Sequence, residues 1–224
     1  SHVMNIVNWQ IHHDMVVLIG TKYIVLSILI IFLFLLLFGA AWILAPKFLE
    51  NYGYAILIKQ DEYEVRKYSS ANIATVYIKG TQETALRQGF KELNHYFSAK
   101  DREGKKISMT VPVMQRKLNE NQDWSIHFVL PKKLLSSKIP NPQSKKIEIK
   151  ESGLRLAASI TFSGRPTEKR LREKKKKLNR WVQSRGLTVT EIPIYAYYND
   201  PLTPSFFLRN EIIFGISTPK EHYP

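Results

Sequence analysis

Residues 23–45 form a run of 23 residues without a formal charge, YIVLSILIIFLFLLLFGAAWILA. As a helix this run would be about 34 Å long, which is enough to cross a hydrocarbon core of about 30 Å. It is apolar all round, whereas a core helix would show a polar stripe. It is also longer than the apolar stretch of about 7–15 residues in a signal peptide, and no A-x-A cleavage site follows it. The sequence therefore predicts a transmembrane anchor at 23–45.

The residues on either side of the anchor complete the predicted organisation. Residues 1–22 are predicted to be a short tail that begins with a cloning remnant, SHVM. Residues 46–224 are predicted to form one domain, since their number lies within the usual range for one. Lys47 and Lys59 follow the anchor and Lys22 precedes it. The positive-inside rule thus slightly favours a cytoplasmic domain on a single-pass membrane protein.

The charge of the chain lies in this domain. Lysine and arginine outnumber aspartate and glutamate by 33 to 19, which gives a net charge of +14, and Asp14 and Lys22 cancel ahead of the domain. Such a surplus favours anionic lipid headgroups, nucleic acid or acidic ligands as partners. The chain has no cysteine, so disulfides and thiolate metal sites are excluded.

The domain repeats one pattern twice. In each half a strand ends in glycine, a helix follows, and then come a strand that carries proline and a strand rich in aromatic residues. The matched pairs are Gly80 and Gly164, Pro112 and Pro193, and Phe128 and Phe214, with offsets of 84, 81 and 86 residues. The pattern predicts two copies of one unit about a pseudo-twofold axis. Since proline cannot donate to a ladder, the two prolines are interpreted as architecture rather than catalysis.

Two helices are predicted from apolar spacing. The first covers about 82–98, with Thr81 as a cap, and the second is opened by Pro166 and stopped by Gly186. The predicted buried faces are Leu86, Phe90, Leu93 and Phe97 in the first helix, and Leu171, Leu178, Trp181 and Val182 in the second.

No motif in the chain supports catalysis or a firm metal site. There is no G-x-S-x-G, and the histidines of the domain have no H-x-x-x-H or carboxylate spacing around them. His127 faces away from the aromatic side of its strand. Two interpretations of His127 remain open, a half-exposed strand histidine and an axial ligand. The half-exposed histidine is favoured.

The first helix carries polar residues beside Phe90. Arg87, Lys91, Asn94 and His95 form a strip that flanks the apolar edge of the helix. Such a strip suits a flat apolar ligand with carboxylate tails, and it equally suits a solvated helix face.

The second helix carries a basic run, KRLREKKKKLNR at 169–180. It has three interpretations: a solvated face, a surface for anionic lipid, and a nucleic-acid surface. Lipid ranks above nucleic acid because a tethered domain stays near headgroups and no aromatic residues interleave with the run. The candidate lipid contacts are Lys174, Lys175, Lys176 and Lys177.

With these pieces in place, the chain resembles the SOUL haem-binding protein family. The resemblance runs from about residue 54 to 216. It is carried by YEVRKY (63–68), ATVYIKG (74–80), ALRQGF (85–90), KISMTVPV (106–113), FVLP (128–131), FSG (162–164), YNDPLTP (198–204) and RNEI (209–212). It implies an α+β domain: a curved antiparallel sheet or distorted barrel of about eight strands, in two pseudo-symmetric halves, with two helices.

The resemblance also implies a ligand and its site. Family members are described as binding haem or other tetrapyrroles in a shallow hydrophobic groove beside the first helix, with basic side chains near the propionates. Here that groove would be lined by Arg87, Phe90, Asn94 and His95, with Thr203 near its rim. Some relatives have lysine where this chain has His95 and Thr203. The difference weakens a propionate contact at Thr203, and at His95 it leaves two roles open, a neutral donor and an iron ligand. The anchor is a departure, since many relatives are soluble.

The predicted function is therefore a membrane-anchored, non-enzymatic binder of haem or a related tetrapyrrole. The alternative is an interaction module that docks on anionic lipid or an acidic protein through the basic second helix. An enzyme acting on a small apolar substrate in the same groove ranks third.

Overall fold

The computed structural model describes residues 2–44, 48–100, 102–119, 121, 123–134 and 138–217, without the side chains of 2–14, 16–19 and 42–44. The chain divides into two compact units, Ser1–Lys47 and Phe48–Pro224.

The first unit is a single helix, α1, which spans His2–Leu44. Its segment Gly20–Ala41 has a mean hydropathy of 3.1 and is long and apolar enough to cross a membrane by length and composition. The helix begins at His2, so it also covers the predicted tail before residue 23. No proline interrupts this stretch, so nothing in it forces the helix to stop. Ser1 and the predicted junction at 45–47 lie outside the described residues.

The second unit is an α+β domain built on an antiparallel sheet of ten strands. Its helices are α2 (Gln82–Phe97) and α3 (Glu168–Ser184). The strands, numbered in chain order, are β1 (Glu50–Asn51), β2 (Tyr54–Gln60), β3 (Tyr63–Tyr68), β4 (Asn72–Lys79), β5 (Thr110–Val111), β6 (Val113–Lys117), β7 (Asp123–Val129), β8 (Glu148–Glu151), β9 (Leu156–Phe162), β10 (Thr188–Val189), β11 (Ile194–Tyr197) and β12 (Asn210–Ser217). Strands β1 and β5 form a separate parallel pair.

The sheet is open rather than closed. Its order is β2-β3-β9-β12-β11-β6-β7-β4-β8, and β10 pairs with β12 beside this path. Within the described residues β2 and β8 are edges, so the predicted alternative of a distorted barrel of about eight strands needs correction. The sheet has more strands than the resemblance implied, in part because the stretch 188–199 forms two short strands, β10 and β11.

The strand order is symmetric about its centre. From the centre outward, the first half runs β6, β7, β4 and the second half runs β11, β12, β9. The two halves meet where β6 pairs with β11. Ile194 lies opposite Arg116 and Tyr197 lies opposite Val113 in this central pair. The two prolines immediately precede these central strands, at Pro112 and Pro193. A residue without an N–H is tolerated at such a strand start.

Both helices begin in the same way. Gly80 and Gly164 have positive φ angles of 136° and 91°, which L side chains rarely adopt. Thr81 then caps α2 by accepting the N–H of Thr84. Thr167 caps α3 by accepting the N–H of Arg170, so α3 begins at Glu168 rather than at Pro166 as predicted. Each threonine satisfies one of the N–H groups left free at a helix start.

Three apolar clusters stabilise the domain. The first lies between α2 and the sheet and includes Leu93 and Phe128. The second lies between α3 and the sheet, where Leu171, Leu178 and Val182 are buried as predicted. Trp181, predicted to be buried, is half-exposed and stacks on Tyr63. The third cluster uses the opposite face of the sheet, since alternate residues of β7 point to opposite sides.

A buried ion network joins β3 to β12. The Arg66 guanidinium on β3 donates to Glu211 on β12, with an Nη1–Oε2 distance of 2.6 Å, and to Glu64 at 2.7 Å. Glu211 also accepts from the hydroxyl of Tyr198 at 2.9 Å and from Arg209 at 2.7 Å. YEVRKY and RNEI, two of the segments that carry the family resemblance, supply most of this network.

The network keeps its charges in spite of burial. Burial alone would raise the pKa of Glu211, but the hydrogen bonds and charge of Arg66 and the charge of Arg209 hold that pKa below its ordinary value. Burial disfavours the charged form of Arg66, and its partner Glu211 nevertheless raises the pKa of the guanidinium. Both groups are therefore ionised at neutral pH and depend on each other.

We expect Glu211→Gln to lower the free energy of unfolding by about 3 kcal/mol, because it leaves Arg66 charged and buried without its main partner. Denaturant unfolding of the detergent-solubilised chain, followed by tryptophan fluorescence, measures the change. Glu151→Gln is the matched control, since Glu151 pairs with Arg155 at the exposed surface. Equal effects of the two substitutions would contradict the role of the buried network.

Candidate functional site

Helix α2 is fixed to the centre of the sheet at its first residue. The Gln82 carbonyl accepts from Gln115 Nε2 on β6 at 2.8 Å. Gln82 Nε2 donates to the hydroxyl of Tyr197 on β11 at 3.3 Å, and this hydroxyl donates to Gln115 Oε1 at 3.2 Å. The two glutamines and Tyr197, with the Gln82 backbone carbonyl, form a closed ring of hydrogen bonds between the helix and both central strands.

The buried face of α2 differs from the predicted one. The structure buries Ala85, Gly89, Leu93, Tyr96 and Phe97. This face is turned by about 60° around the helix from the predicted face. The close approach at Gly89 is the cause: a Cβ there would lie 2.6 Å from Cγ1 of Ile126 on β7, so only glycine lets the helix sit this close.

The rotation leaves Phe90 at the edge of the core. Its ring contacts Phe128 in a T-shaped arrangement with centroids 5.3 Å apart, and 39% of the residue remains exposed. The prediction that Phe90 belongs to the buried face therefore needs correction. Phe90 thus presents an exposed apolar surface, and its ring packs on the buried ring of Phe128.

Polar residues continue around the helix from Phe90. At 100° per residue, Asn94 lies about 40° from Phe90, Arg87 about 60°, Lys91 about 100° and His95 about 140°. Arg87 and Lys91 are exposed, and neither forms an ion pair within the described residues. The structure thus brings Phe90, Asn94 and Arg87 onto one flank and leaves Lys91 at its margin. His95 lies on the far side of the helix from Phe90.

Thr203 lies apart from this flank. It is 1% exposed, and its backbone N–H donates to the Asp200 carbonyl inside the loop between β11 and β12. Its side chain is therefore enclosed within the loop rather than placed at an open rim.

The four candidate lysines of α3 are not equivalent. Lys174 is half-buried, with its Nζ 3.4 Å from Glu62 Oε1 and 5.8 Å from the centre of the Phe162 ring. Lys175, Lys176 and Lys177 are exposed. Only these three offer free charge to a partner.

The two pseudo-equivalent helices present different outer faces. Their capping residues, Thr81 and Thr167, lie 86 positions apart (167 − 81), so Phe90 corresponds to Lys176. The same place in the fold is apolar in one half and cationic in the other. At this position α2 therefore offers an apolar side chain and α3 a charged one.

The side chain of His127 is more buried than the half-exposed position that the sequence favoured. It is buried, and its Nδ1 lies 2.9 Å from Oγ1 of Thr75 on β4. Burial, followed by the charges of Arg116 and Lys150, lowers its pKa to about 3 from the usual 6.5. The imidazole is neutral at pH 7 and lies on the sheet face opposite α2, so it faces away from the Phe90 flank.

Two cavities lie away from α2. One of about 440 Å³ is lined by residues around Tyr52, Ser70, Pro131 and Glu151. The other, of about 450 Å³, lies along α3 between Tyr63, Lys177 and Trp181. The sequence predicted neither, since each depends on contacts between distant segments. Among the described residues no group of three His, Asp or Glu side chains could hold a metal ion.

The fold defines the class of protein: an α+β domain in which two similar strand arrangements each carry one helix. The sequence model of the SOUL heme-binding protein family matches residues 49–215. The chain belongs to the SOUL haem-binding family, as its motifs predicted. No match to it was found among curated proteins.

Solved structures with the same fold are distant in sequence. A structure named as a hydrolase from Listeria innocua has a TM-score of 0.52 at 11% identity, covering 72% of this chain and 94% of that chain. An uncharacterized conserved protein from Listeria innocua also has a TM-score of 0.52 at 11% identity, covering 70% and 92%. The EcmrR C-terminal domain has a TM-score of 0.55 at 13% identity, covering 74% and 99%. At these identities the likeness shows the fold alone.

We expect the stability of the domain to fall as the pH is lowered from about 6.5 to 5, with a slope approaching about 1.4 kcal/mol per pH unit from His127. With a folded pKa of about 3, His127 stays neutral in this window while the unfolded chain takes up the proton. Acid therefore favours the unfolded state. Denaturant unfolding at several pH values measures the slope. His127→Gln should remove that contribution, and an unchanged slope in this variant would contradict the assignment.

Proposed function

We propose that this chain is a membrane-anchored, non-enzymatic binder of haem or a related tetrapyrrole, with the ligand on the open flank of α2. The observation that carries the proposal is the exposed Phe90 ring, fixed on Phe128 and bordered by free cations in a member of the SOUL family. Family membership suggests the ligand class, and the flank offers the matching chemistry.

The residues of the flank fit the parts of a tetrapyrrole. The exposed Phe90 ring suits the flat apolar macrocycle, because aromatic rings pack on one another in offset-stacked or edge-to-face arrangements. Arg87 and Lys91 suit the two propionate groups, since guanidinium and ammonium groups bind carboxylates. Around the helix, the Asn94 amide lies between Phe90 and these two cations, and it offers both a donor and an acceptor.

The flank contributes less to binding of the haem iron than to binding of the macrocycle and the propionates. A bound haem would supply an iron centre, and this chain would contribute apolar contact and carboxylate binding. His95 is the candidate iron ligand from the sequence, but it lies about 140° around the helix from Phe90. A tetrapyrrole resting on Phe90 would therefore leave its iron open or weakly ligated. Thr203 would contribute through the shape of its loop rather than by direct contact.

Binding rather than catalysis is supported by the family, whose description names a ligand and no reaction. The hydrolase name of one Listeria innocua structure is a property of that protein, and at 11% identity only its fold carries over. The sequence adds no nucleophile motif that would favour the third hypothesis, an enzyme acting in the same groove.

We expect haem to bind the full chain saturably and Arg87→Ala and Phe90→Ser each to weaken binding about tenfold, through loss of a charged contact and of apolar contact respectively. Titration of the nanodisc-embedded chain with hemin, followed at the Soret band and corrected with empty nanodiscs, gives the affinities.

Lys176→Ala is the matched control, because Lys176 is the pseudo-equivalent of Phe90 on α3, and it should leave the affinity unchanged. His95→Ala should retain the wild-type Soret position. A Soret shift lost only in His95→Ala would instead place the iron on that histidine and move the ligand off the Phe90 flank. Equal affinities for all the variants would overturn the site.

The membrane part of the proposal rests on α1. The segment Gly20–Ala41 is long enough to span a bilayer, and its described side chains are almost all exposed within its own unit, so they are available to lipid. Lys22 lies near the start of this segment and Lys47 follows its end in the sequence, and both suit the headgroup level.

We expect the expressed chain to remain in membranes after alkaline carbonate extraction and to keep its N-terminal segment by mass. Leu29→Asp with Leu33→Asp should release it, since each carboxylate at the helix centre costs about 2.5–3.5 kcal/mol. Leu29→Val with Leu33→Val is the apolar control. Release of the wild type, or loss of the N-terminal segment, would contradict a membrane anchor.

A second candidate function is docking of α3 on an anionic surface. The exposed Lys175, Lys176 and Lys177 support it, and Lys174 contributes less because Glu62 engages it. Each lysine that reaches an anionic leaflet is worth about 1 kcal/mol. An acidic protein would be attracted by the same charge.

A further inference from the structure

The loop between β11 and β12 exposes an apolar cluster that the fold does not use. Leu202, Phe206 and Phe207 are 78%, 69% and 48% exposed. Phe206 and Phe207 belong to the 3-10 turn Ser205–Phe207, and their ring centroids lie 4.4 Å apart. We call these three residues the apolar tip. Exposed large side chains gathered in one short loop mark an interaction surface rather than a random surface position.

The loop that carries the apolar tip is ordered by its own hydrogen bonds. The Leu202 N–H donates to Asp200 Oδ1 at 2.8 Å, and the Arg209 N–H donates to Asn199 Oδ1 at 2.7 Å. The buried Thr203 fixes the middle of the loop, where its N–H donates to the Asp200 carbonyl at 2.9 Å. The apolar side chains are therefore held outward by a built structure.

The loop is joined to the basic start of α3. Arg165 Nη1 donates to the Pro201 carbonyl at 3.1 Å, and Arg170 Nη1 donates to the Arg165 carbonyl at 3.0 Å. Asn210 Nδ2 donates to the Gly164 carbonyl at 2.9 Å. These bonds place the apolar tip and the arginines before and within the first turn of α3 on one continuous surface.

The charge of this surface is positive. Arg165, Lys169 and Arg170 are exposed beside the loop, and their segment holds one acidic residue, Glu168, with its Oε1 3.8 Å from Arg172. Asp200, the acidic residue of the loop, accepts the Leu202 N–H. The cations thus outnumber the anions around the apolar tip.

We propose that the loop 199–209 inserts its apolar tip into the interface of an anionic phospholipid bilayer, while the basic start of α3 binds the headgroups. Leucine and phenylalanine flanked by arginine and lysine are the composition of surfaces that lie in the membrane interface. The partner is the bilayer because the charge is complementary to anionic lipid and because α1 brings a membrane within reach of the domain. The proposal rests on the membrane anchor of the proposed function, and it does not require that haem binds.

The test uses the absence of cysteine in the chain. Ser205→Cys places one environment-sensitive fluorophore beside the apolar tip, and Gln88→Cys places the same label on the exposed side of α2 as the matched control. The labelled full chain is embedded in nanodiscs of phosphatidylcholine alone or with phosphatidylserine. Blue shift and quenching by doxyl-labelled lipid report insertion of the label.

We expect the label at position 205 to shift to the blue and to be quenched in the phosphatidylserine nanodiscs, and the label at position 88 to remain in water. Replacing an apolar side chain of the tip by serine should lower the ratio of inserted to free loop. For a side chain that is fully buried in the bilayer the decrease should be about tenfold. The variants are Leu202→Ser, Phe206→Ser and Phe207→Ser. Arg165→Gln with Lys169→Gln should remove the dependence on phosphatidylserine. Circular dichroism and the denaturant midpoint of each variant serve as the check that it is folded, because the loop also contains Thr203 of the haem proposal.

A label at position 205 that stays in water in both kinds of nanodisc would overturn the proposal. So would a label that responds to hemin instead of lipid, since the loop would then be a cover for the ligand. If α1 does not hold the chain in the nanodisc, size-exclusion chromatography shows this separately as failure of the anchor. The same labelled chain is then mixed with phosphatidylserine vesicles, where insertion at position 205 supports the loop and its absence contradicts it.

Discussion

The pairing of β6 with β11 is the contact on which the rest of the domain depends. It joins two half-sheets that each carry a helix, and it places Gln115 and Tyr197 side by side. The ring that these two residues form with Gln82 fixes the start of α2 to both halves at once. Burial raises the pKa of the Tyr197 hydroxyl, so it stays protonated and keeps donating to Gln115. The position of the α2 flank is thus set by the centre of the sheet and not by the helix alone.

Much of the fold could be predicted because its signals are local. Glycine at a strand end, threonine at a helix cap and apolar spacing placed α2 and α3 to within a few residues. Closure of the sheet could not be predicted, because it depends on which strands become edges. The rotation of α2 was missed because it follows from Gly89 meeting Ile126, a contact between residues far apart in the chain.

The site was predictable in part for the same reason. Arg87, Phe90 and Asn94 share a flank because helical spacing alone brings them together. The pairing of Lys174 with Glu62 and the burial of His127 depend on distant partners, and the enclosure of Thr203 depends on how its own loop folds. The motifs YEVRKY and RNEI belong to the buried network around Arg66 and Glu211, so their role here is to hold strands together.

The repeat gives the domain two helices in equivalent places with opposite surfaces, and this contrast provides the most direct test of the account. Hydrogen exchange of the nanodisc-embedded chain, measured by mass spectrometry with and without hemin, compares α2 with α3 in one sample. The account predicts slower exchange in peptides from α2, with α3 unchanged as the internal reference. Slower exchange confined to α3 or to the loop 199–209, or no change anywhere, would contradict a ligand site on the α2 flank.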